Sequence, residues 1–455
     1  METIVNVIYL ILFMLFCICV IAKQYLYVSF IFLIFGTKGL SFIPAMTLKP
    51  RLFILMCLLT FCMFNFKAVK RRIKHDKLVR RLFHICLFFI FSMAFSIIYW
   101  NLSIVSVLNA GLPFLLISST VVFLPMTYKE YRKLFNIVFY ITFVASIIYI
   151  IQCFLGKALL PISWVQETEK RGVRLVASHI YRFWVTPPFM IEFIPISIFC
   201  RKIVPPALRA ISPIVFISGL FCTMYRTHIG AAIACIFFLM WLTGSISKNF
   251  KSIIILLIVF AIFGSALTER VTRGNNSTER DVAALVSGDF SVARSNVSNG
   301  MTLMYRAGWV MERVTYLVKN PVELLMGLPL TNDKAFMNSR YSFKFGLVDD
   351  DGNIEQADTP DIAYGMMLTR YGLIGTFFLF RMIFLLLRRL YKNRHISELS
   401  MALFGYLCSQ FIAAVSSTNL AEPLGYVSIF FLYDYAVRMI EGDPPKRTKA
   451  LPAKR

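Results

Sequence analysis

The sequence predicts an all-α polytopic membrane protein, with 12 or 13 transmembrane helices and a large, partly helical outer loop between residues 269 and 360. Three observations predict it. Runs rich in Phe, Ile, Leu and Val recur along the chain at about 20 residues, the length a helix needs to cross roughly 30 Å of hydrocarbon. The 455 residues are 58% hydrophobic, 15% aromatic and 16% charged, with a mean hydropathy of +0.69; a soluble domain of that composition would leave a large apolar surface in water. One long polar segment, Glu269 to Asp358, interrupts the pattern, and the acidic stretch DDDGNIEQADTPD that closes it (349–361) stands directly before a new hydrophobic run. Chemistry is expected there.

The candidate spans, in order, are 3–22, 26–46, 52–68, 82–99, 104–126, 134–154, 184–200, 207–224, 227–244, 252–268, 361–387, 398–417 and 424–440. The first run, TIVNVIYLILFMLFCICVIA, lacks the basic start and small-residue cleavage site of a signal peptide and is expected to be a retained span. The run 26–46 is interrupted by GTKG, so 12 spans with both ends inside stands beside 13 with the N terminus outside. Basic residues concentrate in KRRIKHDKLVRR (70–81), KEYRK (129–133), RK (201–202), RRLYKNRH (388–395) and the tail KRTKALPAKR (446–455). That is the positive-inside pattern and predicts a cytoplasmic C terminus. It leaves 155–183, 269–360 and the tight link MYRTH (224–228) on the outer face. The expected organisation is therefore spans over 1–268 with the outer loop 155–183, the large loop 269–360, C-terminal spans over 361–440 and a basic tail over 441–455.

The same distribution argues against nucleic acid as the partner of the +24 charge, because no aromatic-basic platform or groove-reading motif accompanies it. The ten cysteines lie in or beside apolar runs and none falls in 269–360, so neither a disulfide framework nor a metal site is expected. Cys17 and Cys19 are expected to pack as small hydrophobes.

On the predicted outer face, Arg226 sits in FCTMYRTHIGAA with apolar runs starting almost at once on both sides. A charge held there is expensive without a partner. It is either a snorkelling interfacial arginine or a bidentate clamp for a phosphate, which suits the guanidinium fork better than a lysine. The segment QETEKRGVRLVASHIYRFWVTPPF (166–189) adds Arg171, Arg174 and Arg182 near Tyr181 and Trp184, a pattern shared by ligand sites and by aromatic anchor belts. In MYRAGWVMERVTYLVKNPVELLMGLP (304–329), Trp309, Val310, Val314, Leu317 and Val318 recur at helical spacing and Asn320–Pro321 stops the helix. Such a helix can lie on the membrane or cap a cavity. Arg306 is expected at its start, away from the apolar stripe, facing a ligand or water. Asp349 to Asp351 read as a ligand cluster or as loop solvation. A calcium loop is not expected, because its first ligand would fall on Leu347 and no helix pair flanks it. Asp361 stands where the chain re-enters apolar sequence, and partial burial beside an arginine would make it a general base. Glu192, inside the run MIEFIPISIFC, is an ionisable group in a span and the best sequence argument for a transporter.

The order of these elements, MYRTHIGAAIACIFFL, then an outer loop with R-x-x-W and NPVELLMGLP, then DIAYGMMLTRYGLIGTFFLF, resembles the O-antigen polymerase and ligase superfamily of bacterial inner-membrane proteins over about residues 160–390. The resemblance implies a GT-C-like glycosyltransferase fold that works without a metal or other cofactor, in lipopolysaccharide biosynthesis. Its implied substrates are sugar chains on undecaprenyl pyrophosphate. Membrane lipids and a chain-length regulator protein are the further implied partners. Arg226 and Arg306 match the family's arginines, and with Asp361 they are the expected catalytic residues. Arg174, Arg182, Tyr364 and His228 are the expected substrate contacts. The ligase branch resembles itself in a His-Asn-x-Tyr string before the Gly-Leu-Ile-Gly span start. Here Asp361 stands at the histidine position, Ile362 at the asparagine and Tyr364 at the tyrosine. That departure favours the polymerase branch over ligase-type transfer. A lipid-linked sugar flippase is the expectation from a different class.

Overall fold

A computed structural model describes residues 2–36, 50–160, 174–177, 180–183, 186–244, 250–272, 303–345 and 362–442. The fold is mostly helical. In chain order the helices are α1 (Glu2–Ile21), α2 (Tyr25–Gly36), α3 (Pro50–Phe64), α4 (Phe66–His75), α5 (Lys77–Trp100), α6 (Ile104–Gly111), α7 (Thr120–Phe123) and α8 (Tyr128–Leu155). A two-stranded antiparallel hairpin follows, β1 (Arg174–Ala177) and β2 (Ile180–Arg182). Then come α9 (Met190–Phe199), α10 (Ser212–Cys222), α11 (Arg226–Leu242), α12 (Phe250–Thr272), α13 (Leu303–Lys319), α14 (Pro321–Met326), α15 (Lys334–Arg340), α16 (Ala363–Met366), α17 (Gly372–Asn393), α18 (Glu398–Ala413) and α19 (Gly425–Glu441).

Local chemistry sets many of the ends. Thr127 and Glu130 form a reciprocal capping box at the start of α8, and Gly156 ends it at φ 69°. Asp76 caps α5 by accepting from the Leu78 N–H at 2.8 Å, and the chain turns at Asn101 in the left-handed region. Pro50, Pro206, Pro213 and Pro321 stand at or next to helix starts, where the missing N–H has no partner to lose.

Among the described residues, two helices, Lys77–Trp100 and Tyr128–Leu155, are long and apolar enough to cross a membrane, or three spans if the pair 53–64 and 66–75, bent by 89° at Asn65, is one. Other helices carry apolar stretches of 10 to 17 described residues, among them 7–21, 25–35, 226–242, 253–268 and 398–413. Several predicted runs are broken, for physical reasons. The run 104–126 becomes α6, a 3-10 turn from Leu112 to Ser118 that begins with Leu-Pro, and the short α7. Pro195 lies inside α9, which begins at Met190 instead of 184. The run after 361 contains a π-helical turn, Met367–Tyr371, before Gly372 at φ 57° restarts it as α17. The basic stretch 70–81 is helical rather than an open connector, split between α4 and α5 by Asp76. Residues 37–49, which hold the GTKG break, lie outside the described residues, as does the tail from 443.

One continuous apolar core runs through the bundle, and a smaller one, built on Leu317, Leu328, Met337, Tyr341 and Phe343, lies under α13 and α15. Apolar side chains also remain on the surface at helical spacing. Phe83, Leu87, Ile90, Phe91 and Ile98 on α5 are all exposed, a face suited to lipid.

Candidate functional site

The link between α10 and α11 reverses the chain in three residues. Met224 takes φ 52°, a left-handed conformation that a non-glycine residue adopts at a cost of about 1–3 kcal/mol. Tyr225 follows as N-cap, its N–H held by Thr223 Oγ1 at 3.1 Å. This places Arg226 as the first residue of α11, with Thr227 and His228 in the same turn. The N–H groups that open a helix, and its dipole, favour an anion.

The β-hairpin brings a second arginine to this helix start. Arg174 and Arg182 are paired across the two strands, and the Arg182 guanidinium stacks over the Tyr225 ring at 3.9 Å. His228 stands on the same tyrosine, ring centroids 5.3 Å apart. Arg182, Tyr225, Arg226 and His228 therefore form one half-buried cluster.

The link after α18 ties this cluster to the point where the chain returns from the large loop. Ser416 donates a short hydrogen bond to Thr227 Oγ1. The Ala363 N–H is shared between the carbonyls of Ala414 and Ser417 at 3.0 and 3.1 Å. Tyr364 donates to the Phe411 carbonyl at 2.9 Å while its side chain stays 39% exposed. Its hydroxyl thus anchors the re-entry turn, and the exposed ring is what it offers a ligand.

On the other side of that turn lies α13. Trp309, 1% exposed, packs so closely on Gly365 that a Cβ there would meet its ring at 2.5 Å. Arg306, Trp309, Arg313 and Leu317 share one face by spacing. This corrects the sequence expectation in two ways. Arg306 lies on the face of Trp309, and Val314 and Val318 are exposed while Trp309 and Leu317 are buried. The physical reason is that the inward face packs on protein at Gly365 and is not the purely apolar stripe read from the sequence.

Arg313, which sequence reasoning missed, is the most buried charge of this helix. Its guanidinium lies 4.6 Å from the Trp309 ring and 4.1 Å from Phe343 and pairs with Glu312 at 2.7 Å. Glu312 also accepts from the N–H groups of Lys344 and Phe345 at 2.7 and 3.0 Å. The i, i+3, i+7 spacing of Arg306, Trp309 and Arg313 was the available signal.

The turn after α14 fastens this assembly to the bundle. Gly327 adopts φ 86°, and the neighbouring Leu328 N–H donates to the Thr369 carbonyl at 2.6 Å. A Cβ on Gly372 would lie 2.4 Å from both the Gly327 nitrogen and the Leu325 oxygen. Two backbones meet there with no room for a side chain. Leu330 N–H bonds Ser96 Oγ at 3.1 Å, Ser106 and Thr331 share a hydroxyl bond at 2.7 Å, and Arg370 reaches the Pro329 carbonyl at 3.4 Å. Arg340 braces the far side, paired with buried Glu323 at 2.9 Å and stacked on Trp100 at 4.0 Å. Burial, with the Glu323 carboxylate second, pushes the nearby Tyr316 hydroxyl up to about 12.

Of the residues expected from sequence, the structure thus gathers Arg182, Arg226 and His228 directly, and links Tyr364 and the α13 face carrying Arg306 to them through the turns at 363–365 and 414–417. Arg174 joins them as a strand residue, its side chain outside the described residues. Asp361 also lies outside them, as do Asp349 to Asp351, Glu355, Asp358, Arg171 and His179. The described chain resumes one residue after Asp361, at Ile362. Glu192 is placed in the first turn of α9, where it accepts from Ser428 Oγ at 2.8 Å beside Tyr406. Among the described residues no group of three or more His, Cys, Asp or Glu side chains could hold a metal ion.

No family model matches the chain, and no curated protein matches it significantly.

Proposed function

We propose that the chain is a multi-pass glycosyltransferase of the bacterial inner membrane, which polymerises a lipid-linked polysaccharide of the O-antigen type on the periplasmic face. In this reading about 12 or 13 segments cross the bilayer, the shorter and broken helices among them, and the large loop is periplasmic. The observation that carries it is the tie between the arginine and aromatic cluster of the hairpin and the start of α11 and the re-entry turn, on which Trp309 of α13 packs. A sugar on a lipid pyrophosphate already carries its leaving group, so catalysis needs stabilisation of departing negative charge and a proton acceptor for the incoming hydroxyl.

Arg226 and Arg306 hold the donor pyrophosphate, with the start of α11 adding its N–H groups. Arg174 and Arg182 hold the pyrophosphate of the acceptor. Tyr364 and His228 line the sugar path, and Asp361 takes the hydroxyl proton. Attack from the face opposite the leaving group inverts the anomeric carbon. Arginines supply the positive charge that a metal provides elsewhere.

The test is transfer by the purified protein in lipid nanodiscs, supplied with undecaprenyl-pyrophosphate-linked repeat units and chelator. A ladder of longer lipid-linked glycans is expected. Movement of intact repeat units across the bilayer with no ladder would overturn the reading in favour of a flippase.

A further inference from the structure

One helical turn below the arginine cluster, α9, α11 and α18 enclose a small cavity. Its walls are apolar at Ile191, Ile194 and Ala232, and polar at His228, Tyr406 and Gln410. The space free for the centre of a water-sized sphere is about 10 Å³, roughly the room that one water needs. Gln410 is 5% exposed, and its Oε1 is buried with no hydrogen-bond partner among the described residues. A buried carbonyl left unsatisfied is destabilising, so this wall calls for a donor. Just beyond it, Tyr406 lies beside Glu192, which accepts from Ser428 Oγ at 2.8 Å. A buried carboxylate with one hydroxyl donor thus lies beside Tyr406, which with His228 lines the cavity.

We propose that one water molecule occupies this cavity and completes a proton path from His228 to Glu192. The water donates to Gln410 Oε1 and to the Tyr406 oxygen and accepts from an imidazole N–H of His228. Its polar partners then number three, within the two to four that buried waters take. A proton arriving at His228 moves to the water, the water passes one to Tyr406, and Tyr406 gives its own to Glu192; water and phenol end neutral and the carboxylate ends protonated.

The consequence for catalysis rests on the glycosyltransfer reading. When the acceptor oxygen bonds the anomeric carbon, its O–H bond breaks, and the bond from carbon to pyrophosphate breaks and keeps its electron pair. The proton that Asp361 takes in that step has a further destination on Glu192 of α9, reached through His228, two residues along α11 from Arg226.

X-ray hydroxyl-radical footprinting in nanodiscs tests the water directly, because a bound water generates radicals beside buried side chains that a scavenger in bulk solvent does not quench. Tyr406 should be modified several-fold more than Tyr131, which is fully buried with its hydroxyl bonded to the Phe123 carbonyl. Gln410→Leu should remove that excess at unchanged melting temperature, and Gln410→Glu, which keeps an acceptor, should retain it. Equal modification of Tyr406 and Tyr131, or an excess that survives Gln410→Leu, would overturn the proposal. In the transfer assay Glu192→Gln should slow repeated turnover about tenfold or more and Glu192→Asp should recover part of it; an unaffected rate in Glu192→Gln overturns the path. If the wild-type protein transfers no sugar, the function reading fails while the footprint still decides the water site.

Discussion

Arg226 and Arg306 are held differently, and that difference shapes what their replacement should do. Arg226 opens a helix beside a stacked Arg182–Tyr225 pair, whereas Arg306 rides on a helix seated by Trp309. Lysine keeps the charge at both positions but loses the two-pronged geometry that fits a phosphate. Each of Arg226→Lys and Arg306→Lys should lower transfer at least about tenfold, with protein amount in the membrane unchanged. Quantified ladders at matched protein levels check this, and full ladders from both would make the arginines interfacial anchors. Asp361→Asn should cost about 10²–10⁴-fold, the usual weight of general-base help, while Asp349→Asn should change little. Equal losses at the two positions would identify the acidic stretch as a folded lid instead.

Among the elements, the decisive joint is the backbone-to-backbone contact of Gly327 with Gly372. Gly372 has φ 57° and no space for a Cβ, so Gly372→Ala combines strain of about 1–3 kcal/mol with a steric clash. It should detach α13 and α14 from the bundle before it unfolds the rest. Protease sensitivity confined to the large loop, together with lost transfer, is the expected result. The joint can also be locked. Ser106 and Thr331 share a hydroxyl bond at 2.7 Å, so cysteines at both positions, in a background without the native thiols, should crosslink under mild oxidation. Failure to crosslink would mean that the loop does not dock on α6.

Sequence reasoning read this level unevenly. The helical character of the apolar runs, the link at 224–228 and the helix at 304–319 were legible, because spacing and stop signals are local properties. The orientation of α13 was not legible. Counting apolar residues put Trp309, Val314, Leu317 and Val318 on one stripe, but the face buried in protein is set by a tertiary contact between Trp309 and Gly365 and carries an arginine stacked between rings. The GLP turn and the Gly372 step likewise look like loop punctuation until the two backbones are seen to touch. The broken runs at Pro113, Pro195 and 367–371 were visible as residues, yet apolar content outweighed them in a reading based on span length.

For the whole molecule, the basic connectors and the arginine cluster lie on opposite sides in the proposed topology. Single cysteines at 75 and 300 in a thiol-free background should then label from outside only at 300, and labelling at 75 alone would invert the arrangement and place the cluster in the cytoplasm. The central claim is narrower than topology. It is that residues far apart in the chain, Arg226 on α11 and Arg306 on α13, close on one pyrophosphate. The most direct test is the affinity of undecaprenyl pyrophosphate for the wild-type protein, Arg226→Lys, Arg306→Lys and the double variant in nanodiscs. Groups that share a ligand are coupled, and independent sites add. Each single variant should weaken binding about tenfold, or ~1.4 kcal/mol, and the double variant should lose clearly less than the sum of the two. Strict additivity, or no loss from either variant, would contradict the shared site.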